Sequence, residues 1–159
     1  MAGSRGAANQ SLYRARILLD CWDAARQASR FPDKALDDAF LPAVRAHLCD
    51  AYGWFLLAVS GVEQTSQAVA LPASTADLPA PEAGRSIAPE LREFAVLERE
   101  GWLADLIATP AAEAPLVDPR AAGEILGSDR QAPGYAVIEA LWSRLSNTMQ
   151  RMDDSLAEC

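Results

Sequence analysis

From Tyr135 to Ala157 apolar side chains return every three or four residues: Ile138, Leu141, Trp142, Leu145, Met149, Met152 and Leu156. That period is the signature of an α-helix with one apolar side. Glu139, Ser143, Arg144, Asn147, Gln150, Arg151 and Asp154 fall opposite, so the segment predicts a helix docked by one face. The methionines on the stripe read as core filler.

An earlier segment, about Gln10 to Arg30, carries Leu12, Ala15, Leu18, Leu19, Trp22 and Ala25 on one side. Tyr13, Ile17, Cys21, Ala24 and Ala28 lie on another, leaving a narrow polar strip of Arg16, Asp20, Asp23, Gln27 and Arg30. Such a helix is expected to touch two neighbours, as a bundle member does. A second helix runs to about Val62 along Phe40, Val44, Leu48, Ala51 and Phe55. Pro42 either kinks it or marks its first turn after a short piece from Lys34 to Phe40. A third opens at Pro89, with Glu90 and Glu93 near its positively polarised N-terminus, and stops before Thr109–Pro110.

Prolines punctuate the rest: Pro72, Pro79, Pro81 and Pro89 in one stretch, Pro110, Pro115, Pro119 and Pro133 in another. The second stretch holds a candidate short helix from Asp118 to Gly127. No alternating β-branched run argues for a strand. The expected fold is all-α: a four-helix bundle with two long proline-rich connectors, one domain over residues 10–159 behind a disordered lead at 1–9. A chain of 159 residues can bury roughly 70% of its unfolded surface, enough for a core without staples.

Between Ala51 and Val59 the second helix is apolar all round, with Tyr52 and Leu56 to one side of the core stripe and Trp54 and Leu57 to the other. The run is far short of the roughly 20 residues that span a bilayer, and Asp50 and Glu63 bracket it, so no membrane segment is expected. Something must cover these side chains. Either the first proline-rich connector folds over them, or they occupy the middle of the bundle, or Tyr52, Trp54, Leu56 and Leu57 form a dimer or partner interface, where aromatic anchors are favoured.

Candidate chemistry is sparse. His47, the only histidine, and Cys49 stand two residues apart, about 200° around a helix, and cannot share a metal or a proton. His47 is expected to be structural, hydrogen-bonded to a neighbour. A di-iron bundle needs paired Glu-x-x-His, and Val44 stands three before His47; no H-E-x-x-H, phosphate loop or G-x-S-x-G elbow occurs. Glu98 and Asp105, seven apart on one face of a continuous helix with Glu100 nearby, are the alternative acidic site of a magnesium-dependent nucleotide hydrolase. Trp22, Trp54, Trp102 and Trp142 are the one hint of a small apolar-ligand binder.

Charge narrows the partners. A net charge of −8 opposes nucleic-acid binding, which needs a positive patch to displace counterions. Cys21, Cys49 and Cys159 form neither a zinc ribbon nor a disulfide framework, and the N-terminus lacks a signal-peptide core, so a reducing cytoplasm is expected.

The segments "SLYRARILLDCWDAA", "AVRAHLCDAYGWFLLAVSG" and "SIAPELREFAVLEREGWLADLI" together resemble a bacterial domain-of-unknown-function family of small helical proteins. The resemblance spans roughly residues 11 to 108 and rests on His-Leu-x-x-Ala-Tyr-Gly at His47–Gly53 and on the Glu93-to-Leu106 pattern. It implies a helical cytoplasmic protein and carries no activity, cofactor or site residue with it. The expected function is a non-enzymatic module that binds a protein partner or itself, without cofactor or metal.

Overall fold

The computed structural model describes residues 3–61, 70–80, 86–108 and 134–157. Regular structure among them is wholly helical: α1 Ser4–Gln27, α2 Asp33–Ser60, α3 Pro89–Glu100, α4 Trp102–Ile107 and α5 Tyr135–Ala157, with a 3-10 turn at Thr75–Asp77. The all-α expectation holds, with five helices among the described residues in place of the four expected. The candidate helix at Asp118–Gly127 and the second proline-rich connector lie outside the described residues.

α1 begins at Ser4, so residues 4 to 9 are helix and not a disordered lead. Ala8 is fully buried and extends the stripe Leu12, Ala15, Leu19 and Trp22 by one more turn. Arg5 reaches Asp153 on α5 at 3.2 Å. A stripe position filled by alanine gives little hydrophobic signal, which is why the periodicity alone starts the helix too late.

α2 runs unbroken through Pro42. Proline removes one N–H from the ladder, but Pro42 and Asp38 both sit at exposed positions, so the carbonyl left without its donor lies on the solvent side. α1 and α2 pack along each other across the short link at 28–32, with Trp22 stacked on Phe40 at 5.8 Å and 8°. α5 closes the core: Tyr135 meets Trp22 edge-on at 5.4 Å, and the Trp142 indole donates to the Leu12 carbonyl at 3.1 Å.

The third expected helix is two. Gly101 adopts extended dihedrals, φ −121° and ψ −171°, ending α3 and serving as the N-cap of α4. The chain folds back so tightly here that a Cβ on Gly101 would stand 2.9 Å from Leu97 Cδ2 and 3.0 Å from its backbone. A side chain there would force Leu97 to shift. Arg45 from α2 then donates to the carbonyls of Asp105, Leu106 and Ala108, satisfying the C-terminal end of α4.

The first proline-rich connector covers α2. Pro72 is buried, and a Cβ added to Gly53 would stand 2.7 Å from the Pro72 carbonyl oxygen and 3.2 Å from Leu71 Cβ. Ser74 and Asp77 cap each other's backbone around the 3-10 turn, which holds the strap in shape.

Candidate functional site

Tyr52 and Leu56 are fully buried and Leu57 nearly so. Of the four side chains expected at an interface, only Trp54 keeps partial access to solvent. The apolar excess of Ala51–Val59 is consumed within the chain, because α3, through Phe94, and the strap, through Leu71 and Pro72, pack on this stretch of α2.

Glu98 is engaged in hydrogen bonds within the fold. Its carboxylate accepts the Tyr52 hydroxyl at 2.6 Å, the Thr75 amide at 2.7 Å and the Thr75 hydroxyl at 2.6 Å. One carboxylate therefore ties α3 to α2 and to the strap. Asp105 lies on α4, beyond the break at Gly101, and is exposed, as is Glu100. The expectation that Glu98 and Asp105 share a helix face fails with the helix continuity it assumed. No group of three or more His, Cys, Asp or Glu side chains is placed to hold a metal ion among the described residues.

The Tyr52 phenol is pushed far above the ordinary tyrosine range, first by burial and then by the hydrogen bond to Glu98 and its charge. An unfolded tyrosine ionises near about pH 10 while the native one keeps its proton, so folding takes up protons in strong base. The stability contributed is intact below about pH 10 and declines as pH rises above it, by up to about 1.4 kcal/mol per pH unit. Urea unfolding between about pH 9 and about pH 11 should show Tyr52→Phe with a distinctly shallower decline than the parent. Equal slopes would mean that the phenol ionises freely in the native state.

His47 and Cys49 diverge as helical geometry requires. The Cys49 thiol approaches the Leu106 carbonyl at 3.8 Å, and burial raises its pKa against the opposing pull of Arg45. His47 is half-buried, and its Nδ1 has no hydrogen-bond partner among the described residues, in contrast to the neighbour contact expected for it. The tryptophans pack on the chain's own groups: Trp22 is enclosed by Phe40 and Tyr135, and Trp142 lies under the Arg16 guanidinium at 5.2 Å. Trp54 and Trp102 are partly buried and pack against the same core.

What the sequence reading missed is the outer face of α1. Its second apolar side, expected to meet a neighbour, faces solvent: Tyr13 is 67% and Ile17 45% exposed, and Cys21 and Ala24 are open as well. These residues recur at three- to four-residue spacing, so they form one continuous strip down the helix. Their apolar periodicity was visible in the sequence; that α2 and α5 both dock on the other side was not.

The chain matches no family model, no curated protein and no solved structure. No described helix is long and apolar enough to cross a membrane.

Proposed function

We propose that the chain is a non-enzymatic helical module of the bacterial cytoplasm whose role is to associate with protein, without cofactor or nucleic acid, through the outer face of α1. The observation that carries this reading is the aligned exposure of Tyr13 and Ile17 on a helix whose other side is fully engaged in the core. Single exposed apolar residues are common on any surface, but a strip along one helix is the form that partner-binding helices take. The bundle behind it supplies rigidity: α1 is fixed by the Trp22–Phe40 stack, by Trp142 and by the Arg5–Asp153 pair.

Ile17→Glu tests the reading. A substitution at an exposed position should leave thermal stability within about 0.5 kcal/mol of the parent. Full-length parent and variant would be immobilised at equal density and exposed to extract of the source cell, and the retained proteins compared quantitatively. A species held by the parent, whether another protein or the chain itself, should be lost from the variant. Identical profiles from two equally folded proteins would refute the assignment.

A further inference from the structure

We infer that the partner for this face is a second copy of the chain, joined by two-fold symmetry with α1 of each copy lying on α2 of the other. The inference rests on the reading above and names its partner. It follows from a match between two strips on the outer side of the same helical hairpin. On α2 the exposed positions include Ala39, Ala43, Ala46 and Asp50, spaced four, three and four residues apart. That is one face of one helix, and three of these four residues are alanine. On α1 the corresponding strip is large, dominated by Tyr13 and Ile17. Large side chains on one helix and small ones on its neighbour do not cover each other within one hairpin, since both point outward. They do cover each other between two hairpins laid face to face.

The register of the hairpin makes the match specific. Trp22 stacks on Phe40, and the two helices run in opposite directions from a short link. Five residues back along α1 and five on along α2, Ile17 is therefore level with Arg45, between Ala43 and Ala46 in height. Arg14 is level with Leu48, within a turn of Asp50. A two-fold axis along the hairpin keeps heights unchanged while exchanging the helices. Ile17 of one copy then enters between Ala43 and Ala46 of the other, and Arg14 meets Asp50, with the same contacts repeated by symmetry.

Charge supports the same pairing. Asp20 is bound to Arg16, and Asp38 to Lys34, so these aspartates are already matched within the chain. Arg14 and Asp50 are both exposed, and neither has an ion-pair partner among the described residues. One is an unmatched cation beside the large strip, the other an unmatched anion on the small one. Packing α1 on α1 instead would set tyrosine and isoleucine against themselves and leave the alanine strip and Asp50 uncovered.

Solution mass by sedimentation equilibrium, over a concentration series into the hundreds of micromolar, tests the inference against a monomer of 17.0 kDa. The parent should reach twice the monomer mass. Arg14→Glu and Asp50→Arg should each raise the dimer Kd by at least about tenfold, since each replaces two attractive pairs with two repulsive ones. Arg14→Glu combined with Asp50→Arg should return it to within about threefold of the parent, a rescue that general damage to the fold does not produce. A parent that stays monomeric throughout the series overturns the inference. So does a dimer unaffected by either charge reversal, or a double variant no better than the singles. If the parent is monomeric while Ile17→Glu still loses a different protein in the binding comparison, the second copy is refuted and the interaction reading survives.

Discussion

Replacing Glu98 with alanine is expected to destabilise the chain by about 3 kcal/mol, the net value of three hydrogen bonds to one carboxylate after their mutual dependence is allowed for. The Tyr52 hydroxyl contributes most, because Tyr52 is fully buried and would be left without its acceptor, at about 1 to 3 kcal/mol. The Thr75 amide and hydroxyl lie nearer solvent and recover part of their loss from water. For a chain of this size, the melting temperature should fall by roughly 6 to 12 °C. Glu98→Gln, which keeps one acceptor oxygen, should lose about half as much. In the Glu98→Ala background, Tyr52→Phe should cost nothing further, since it removes a hydroxyl already stranded. The sign also separates this role from catalysis: carboxylates held for chemistry are commonly destabilising where they sit, so their removal tends to leave a fold unharmed or firmer. A Glu98→Ala protein as stable as the parent would reopen the acidic-site reading.

Helix-forming segments were legible because the chain states them twice, in apolar period and in proline punctuation. α5 was readable to its end residues, Tyr135 and Ala157. Where the two signals disagreed, tertiary context decided. Pro42 suggested a boundary, yet α2 passes through it because the defect falls on the solvent side. Gly101 offered no such warning: a glycine within a strong helical pattern is ordinarily tolerated, and the break follows from the fold-back against Leu97. That one error carried Glu98 and Asp105 onto a common face they do not share.

The candidate site was only partly legible for a related reason. Apolar excess in sequence does not say which excess is exposed. Two helices were too apolar for a single docked face; for α2 the sequence left open a cover by the first connector, a place in the middle of the bundle or an interface, and for α1 it suggested two neighbours. The structure selects the cover for α2, because the strap from Leu71 to Leu78 reaches it and is tied there by Glu98, while among the described residues α1 packs against α2 and α5 and leaves its outer face exposed. Thr75 and Glu98 stand 23 residues apart with a proline-rich stretch between them, and no local pattern links them.

Phe94→Ala is expected to cost about 3 to 5 kcal/mol, the range for emptying a fully buried aromatic position. Phe94 meets Tyr52 edge-on at 5.1 Å and Phe55 at 5.9 Å, and it is the one fully buried residue of α3. The twelve-residue α3 is too short to persist without tertiary contacts. Loss of its anchor should therefore act locally before it acts globally. Amide exchange should accelerate across α3 and the strap around Thr75, which is tied to α3 through the Glu98 carboxylate, while α1, α2 and α5 stay protected together by the Trp22 cluster. Phe94→Leu, which refills most of the volume, should cost about 1 to 2 kcal/mol and leave the strap slow to exchange. If exchange instead rises uniformly over all five helices in Phe94→Ala, α3 and the strap are not a separate cooperative unit, and Glu98 must be counted as part of one indivisible core.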